Sequence, residues 1–313
     1  MYIVFDNIIY TLQRYGGISV VWNELLSRAR ADKDLQVTEL DYVEKLTPRC
    51  MERYRIPAYR ATVPTVFHSS YFRILPRPGV HNVTTVHDLT YHFYRRGLAK
   101  AVHLWEEERA LRHSEAVICV SENTKRDLLR LYPWVNEANV HVIYNGVSEA
   151  FCPIPSVQKK GYLLYVGNTR VDYKRYDVAQ RVAQLTKLEL VTAAGVTQEQ
   201  LNTLYNEALC LLYPSDYEGF GIPIIEAQRA GCPVIAQQAS SIPEVIGAEG
   251  LTVRHDTPER MAQEMADLVR QLQSRSTQDI VTAGIENAKR FSWNTMYKQV
   301  KQVYENINYN HHV

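Results

Sequence analysis

The chain has 313 residues, a net charge of +1, 46% hydrophobic and 22% charged residues, the balance of an ordinary globular protein and neither a disordered nor a fibrous one. Near-neutral charge argues against a nucleic-acid partner, and five scattered cysteines (Cys50, Cys119, Cys152, Cys210 and Cys232) without C-x-x-C spacing suggest neither a disulfide framework nor a zinc site. No apolar run approaches the roughly 18 residues of a spanning helix, and the N-terminus, acidic at Asp6, lacks the basic n-region of a signal peptide. A reducing cytoplasm is the expected location.

The length predicts two α/β domains of about 150 residues each, and short apolar runs alternating with amphipathic stretches predict parallel sheets wrapped by helices. Strands are expected at 2–5, 36–42, 64–67, 82–86, 115–120 and 140–144, with helices at 18–31, 98–113 and 122–131 between them. Residues 43–63, rich in Arg and Tyr, have no period and are expected to be irregular. The stretch 151–160 holds two prolines and two lysines without periodicity and reads as a linker, dividing a domain 1–152 from a domain 153–313. Strands then resume at 162–167, 188–192, 209–213, 233–236 and 251–253, with helices at 198–207, 223–230, 257–273 and 277–289. A last helix over 293–307, after Ser292 as N-cap, carries Met296, Val300, Val303 and Tyr304 at helical spacing and is expected to close back on the first domain.

The most informative segment runs from Tyr213 to Glu226. A strand ends, Gly219 and Gly221 remove side chains where a ligand approaches the backbone, and Pro223 suits the first turn of a new helix. Such a turn leaves free N–H groups and a positive helix end for an anion, while Glu218 and Glu226 supply carboxylates that accept from sugar hydroxyls. A plain strand–turn–helix junction with a solvated glutamate explains the segment equally well when it is taken alone.

With its two glutamates separated by seven residues, the segment resembles the retaining glycosyltransferases of family 4. The same resemblance takes in Gly16-Gly17 after the first strand, His87-Asp88 after the fourth, Ser121, Asn145-Gly146, Gly167 with Lys174, and Ser240-Ser241. It implies a GT-B fold, in which two Rossmann-like domains face each other across a cleft. It implies a nucleotide-diphosphate sugar as co-substrate, no further cofactor and no metal.

Residue by residue, the resemblance places Gly16 and Gly17 at the donor phosphate and His87, with Asp88, near the reacting centre. Lys174 lies on the diphosphate, where its charge stabilises the leaving group. Glu218 takes the transferred sugar and Glu226 the ribose, with Gly219, Phe220, Gly221 and Ile222 lining the donor. Family members carry an arginine after the glycine equivalent to Gly167, where this chain has Asn168, so Arg170 or Arg175 is expected to supply that charge. Ser121 reads first as a helix cap, Asn145 as a turn, and Ser240 and Ser241 as the head of a further helix that combines a cap with a phosphate contact. Only 23 residues separate Lys174 from Gln198, fewer than in relatives, so the nucleobase does not carry over.

Asp32-Lys33-Asp34 has the D-x-D spacing of metal-dependent transferases, yet it lies between a helix and the next strand, at the amino edge of the sheet and away from the ligand edge. It is read as structural. The resemblance implies front-face displacement of a hexose and, being nearest in character to bacterial enzymes of surface-polysaccharide assembly, mannose from GDP-mannose as donor and a glycan or lipid-linked oligosaccharide of O-antigen or capsule type as acceptor. The Tyr- and Arg-rich stretch 42–60 and the run Tyr91–Arg96 suggest peripheral contact with the cytoplasmic face of an anionic inner membrane. The alternative is a catalytically silent GT-B protein that partners another transferase.

Overall fold

The computed structural model describes residues 1–13, 16–41 and 53–310. Cys50 and residues 43–52 of the 43–63 excursion lie outside the described residues. The chain forms two compact units, Met1–Gly146 with Trp293–Val313, and Val147–Ser292.

The first unit is built on a six-stranded, all-parallel sheet in the order β2-β1-β3-β4-β5-β6, with β1 at Tyr2–Asp6, β2 at Gln36–Leu40, β3 at Thr65–Ser69, β4 at Val80–Val86, β5 at Ser114–Cys119 and β6 at Val140–Val142. The central β3 is buried along its whole length and β2, at the edge, is not, as expected of a sheet covered by helices on both faces. Crossovers run through the helices Gly17–Ala31, Gly97–His113 and Glu122–Leu131. Short helices at Ile9–Leu12 and Thr90–Tyr94 were not legible as elements, since four or five residues carry no helical period.

The second unit is a five-stranded parallel sheet, β11-β10-β9-β7-β8, with β7 at Leu163–Val166, β8 at Leu190–Ala193, β9 at Cys210–Tyr213, β10 at Val234–Gln237 and β11 at Leu251–Val253. Leu163, Cys210, Leu212 and Ile235 from its strands pack with Val178 and Val182 of the helix Tyr176–Thr186 and with Met261, Met265 and Val269 of the helix Pro258–Ser274. The short interval after Lys174 holds that one helix and β8. Both sheets therefore have the Rossmann-like character expected of them, with the strand order reversing between β1 and β3 in the first and between β7 and β9 in the second.

The unit boundary falls at Gly146 and not at 152. Phe151 is fully buried against Tyr205, with ring centroids 5.9 Å apart. Asn202 accepts from the Cys152 N–H at 3.1 Å and Asn206 from the Ile154 N–H at 2.7 Å. The stretch read as a linker is thus docked on the second unit by hydrogen bonds that its composition does not announce.

The last helix, Trp293–Asn310, belongs to the first unit. Met296, Val300, Val303 and Tyr304 are all buried, and the Tyr304 hydroxyl meets His68 Nδ1 on β3 at 2.5 Å. The D-x-D segment is its anchor: Asp32 accepts from Tyr297 at 2.6 Å and from Lys301 at 2.8 Å, and Asp34 accepts from Lys301 at 2.8 Å. These two donors hold the Asp32 carboxyl down to about 2. A depressed carboxyl contributes stability above its ordinary pKa that is lost as pH falls toward the folded value.

Asp32→Ala is expected to lower Tm by a few degrees at pH 7, at about 2–4 °C per kcal/mol for a chain of this size class, and to leave the activity that the sequence resemblance implies unchanged per folded molecule. The difference in Tm from wild type should shrink between pH 4 and pH 2. Thermal unfolding across that range, with an activity assay at pH 7, checks both.

Candidate active site

A parallel sheet whose strand order reverses opens a crevice where neighbouring loops leave toward opposite faces. In the second unit that point lies past the carboxyl ends of β7 and β9. The loop after β7 winds through a 3-10 turn, Asp172–Lys174, into the helix Tyr176–Thr186, and the loop after β9 leads to the helix Ile222–Arg229. A backbone bond from the Asp216 N–H to the Tyr173 carbonyl, 2.8 Å, joins the two loops. The Lys174 ammonium meets Glu218 Oε1 at 2.9 Å, and the Lys174 carbonyl accepts from the Tyr165 hydroxyl at 3.2 Å.

The loop carrying Glu218 is fixed from behind. The Glu218 N–H donates to Ser240 Oγ at 2.8 Å, and the Ser241 hydroxyl donates to the carbonyls of Glu218 and Phe220, both at 2.9 Å. Ser240 adopts a left-handed φ of 48° to reach it. Ser241 begins the helix Ile242–Ile246 without a side-chain cap bond; its hydroxyl is committed to the loop, and the expected cap is not made. Gly221 has a φ of 107° immediately before the helix Ile222–Arg229, where a Cβ would stand 3.1 Å from Ile224. A side chain there is strained on both counts.

Glu226 is the fifth residue of that helix and accepts from the Tyr205 hydroxyl at 3.1 Å. Burial pushes its carboxyl up to about 7, against the pull of that hydroxyl. Phe220, expected to line the donor, turns inward instead: it is buried and packs edge-to-face on Phe291, centroids 5.5 Å apart. Gly219 and Ile222 stand on either side of this Phe220–Gly221 pair. Of the two arginines, Arg175 has a left-handed φ of 50° and pairs with Asp216 at 2.9 Å, whereas Arg170 is exposed.

In the first unit, Gly16, Gly17, His87, Asp88, Ser121 and Asn145 all follow strands and so share the carboxyl edge of that sheet. Gly17 opens the helix Gly17–Ala31, which has no side-chain cap and leaves its first-turn N–H groups to other partners. Burial lowers the His87 imidazole to about 4, which keeps it neutral near pH 7. Asp88 Oδ1 accepts from the N–H and hydroxyl of Thr90 and so starts the helix Thr90–Tyr94. Ser121 caps the helix Glu122–Leu131 through the Thr124 N–H at 3.0 Å, as its position implies, and Asn145 is buried.

Two sequence profiles match the chain end to end across most of its length. One is described as Glycosyltransferase Family 4, over residues 48–151, and the other as Glycosyl transferases group 1, over residues 134–271. Both describe glycosyltransferases and together they cover residues 48–271, and the chain is a glycosyltransferase. O-antigen chain mannosyltransferase B of Escherichia coli is 29% identical over 82% of the chain and 80% of that protein. O-antigen chain mannosyltransferase RfbU of Salmonella typhimurium is 28% identical over 55% of the chain and 56% of that protein. Among solved structures, sucrose-phosphate synthase from Thermosynechococcus elongatus superposes with a TM-score of 0.76 at 18% identity, covering 99% of this chain and all of that one, which establishes the GT-B fold.

For this glycosyltransferase, the residues that sequence reasoning missed are Tyr205, Asp216 and Tyr173. They act through contacts between elements, and an isolated Tyr at an apolar helical position reads as core. Removing the Ser241 hydroxyl leaves two loop carbonyls without their donor, at a cost of about 1–3 kcal/mol. Ser241→Ala is therefore expected to unfold at lower urea and to lose activity more than stability, which equilibrium unfolding and an assay at saturating donor separate.

Proposed function

We propose that the protein is a retaining, metal-independent mannosyltransferase. It takes mannose from GDP-mannose and transfers it to a glycan or lipid-linked oligosaccharide, with the nucleotide sugar as co-substrate and no other cofactor. The observation that carries the donor site is the Lys174–Glu218 pair at the strand-order reversal, 2.9 Å apart across two adjacent loops, with Glu226 one turn inside the helix that follows Glu218. Lys174 meets the diphosphate and stabilises the charge that grows on it as the glycosidic bond breaks. Glu218 accepts from the transferred hexose and Glu226 from the ribose. By the family resemblance His87, neutral near pH 7, offers the sugar a hydrogen-bonding group without adding charge. Arg170, exposed on the loop after β7, supplies the second cation, since Arg175 is engaged by Asp216. The mannosyltransferases among its relatives support the choice of sugar.

Thermal unfolding with GDP, UDP, dTDP and ADP tests the donor. A ligand at 100 times its Kd adds about 2.7 kcal/mol to stability, a shift of several degrees. GDP is expected to stabilise the wild type and to do so less for Lys174→Ala, Glu226→Ala and Arg170→Ala, with Arg175→Ala close to wild type in affinity. Because Glu226 accepts at both oxygens only when ionised and burial pushes its carboxyl up to about 7, GDP should bind more tightly as pH rises from 6 to 8, and Glu226→Gln should remove that dependence. No stabilisation by any nucleotide would bring forward the silent-partner reading.

A peripheral membrane contact is proposed for the first unit. Among the described residues no helix is long and apolar enough to cross a membrane. Phe93, Tyr94, Leu98, Trp105 and Trp134 are exposed, and arginines lie over three of the rings: Arg130 on Phe93, Arg109 on Trp105 and Arg112 on Trp134. Aromatic rings and arginines together suit the interface of an anionic bilayer. The protein should co-float with phosphatidylglycerol vesicles at low salt and not with phosphatidylcholine vesicles. A Trp105→Ala, Trp134→Ala double variant that floats as well as wild type would remove this contact.

A further inference from the structure

Tyr205 stands in the last turn of the helix Gln198–Glu207 and is fully buried. Its ring packs edge-to-face on Phe151, and its hydroxyl donates to Glu226 Oε2 at 3.1 Å. Among the described residues no other side chain is hydrogen-bonded to that carboxylate. The helix bearing Tyr205 is itself tied down at several points. Thr197 and Gln200 form a reciprocal capping box at its start, and Asn202 and Asn206 bind the backbone at Cys152 and Ile154. The hydroxyl is therefore placed by the packing of its helix on the 151–154 segment, and Glu226 by its own helix.

A carboxylate on a two-methylene stem turns about its terminal torsion, which is broad. A single donor held rigidly on one oxygen fixes that torsion and leaves the second oxygen, and one lone pair of the first, for other donors. Vicinal hydroxyls of a ribose present two donors together, and a carboxylate of fixed plane receives both only if its rotation is settled beforehand. Preorganisation of this kind shows as affinity, because the cost of ordering is removed before the ligand arrives. A buried tyrosine hydroxyl remains protonated near neutral pH, and here burial and the neighbouring Glu226 charge both raise its pKa, so the group stays a donor throughout.

We propose that Tyr205 is a positioning residue that orients the Glu226 carboxylate for the ribose hydroxyls of the donor nucleotide. The inference rests on the donor-site reading above. Tyr205→Phe keeps the ring against Phe151 and removes only the hydroxyl.

The test compares binding of GDP and 2′,3′-dideoxy-GDP, and likewise UDP and its dideoxy form, by calorimetry to wild type, Tyr205→Phe, Glu226→Gln and the double variant. The natural nucleotide is expected to bind Tyr205→Phe about three- to tenfold more weakly, the scale of one hydrogen bond, while the dideoxy form binds it as it binds wild type. KM for the donor sugar should rise with kcat within about twofold of wild type. In the Glu226→Gln background the Tyr205→Phe change should have no further effect. If Tyr205→Phe retains the wild-type preference for ribose while Glu226→Gln loses it, Tyr205 does not position Glu226, although the donor site stands. If the two single changes weaken binding additively, or Tyr205→Phe weakens both forms equally, its role is structural only and the proposal is overturned. If wild type and Glu226→Gln treat the natural and dideoxy forms alike, the donor-site reading itself fails and takes this inference with it.

Discussion

Parallel strands need crossovers, and a parallel sheet whose order reverses must send the loops of two adjacent strands to opposite faces. That constraint places the chemistry of the second unit. From β7 the chain turns toward β8 through the helix Tyr176–Thr186, and from β9 it turns the other way toward β10 through the helix Ile222–Arg229. Lys174 and Glu218 are 44 residues apart in sequence, and the reversal is what brings their loops side by side. The Asp216–Tyr173 backbone bond then fixes the separation of the two loops, so the ion pair is a product of strand order before it is a product of side-chain preference.

Loops at such an edge carry backbone groups that have no strand partner, and a buried orphan is costly. The two serines answer this in different ways. Ser241 is fully buried and supplies one hydroxyl to two carbonyls, and Ser240, at a left-handed φ, offers its oxygen to the Glu218 N–H. A non-glycine residue at positive φ is disfavoured by about 1–2 kcal/mol, and here the hydrogen bond to the glutamate's own backbone offsets that cost. The result is a glutamate whose main chain is held on three sides while its carboxylate remains directed at Lys174.

Much of this was legible in the sequence. β7 and β9 announce themselves as apolar runs ending in glycine or proline, and the Glu218–Glu226 segment is local enough for residue types alone to suggest a strand, a turn and a helix start. Ser121 was legible for the same reason, because a cap and the N–H that donates to it lie three residues apart. What failed to show was whatever depends on contact between elements. Phe220 sits among glycines in a presumed ligand loop, yet Phe291, 71 positions later, draws it into the core. The 151–160 stretch has a linker's composition, and only the side chains of Asn202 and Asn206 reveal that its first part is docked. Tyr205 and Glu226 are 21 residues apart, a spacing that matches no helical or strand period.

The same contacts decide how charge is distributed at the edge. Lys174 has three N–H donors and Glu218 takes one; Arg175 is held by Asp216. Each cation is thus kept in place by a carboxylate, at the price of part of its field, and the arginine without such a partner is Arg170 on the exposed loop. An ammonium oriented by a neighbouring carboxylate needs no reorganisation when an anion arrives, whereas a solvated one does, and preorganised charge stabilises a developing charge more effectively than mobile charge. The arrangement therefore trades strength in the resting protein for direction. A lysine clamped by a glutamate on a loop itself clamped by two serines is the form that a site takes when it must meet charge appearing at one place.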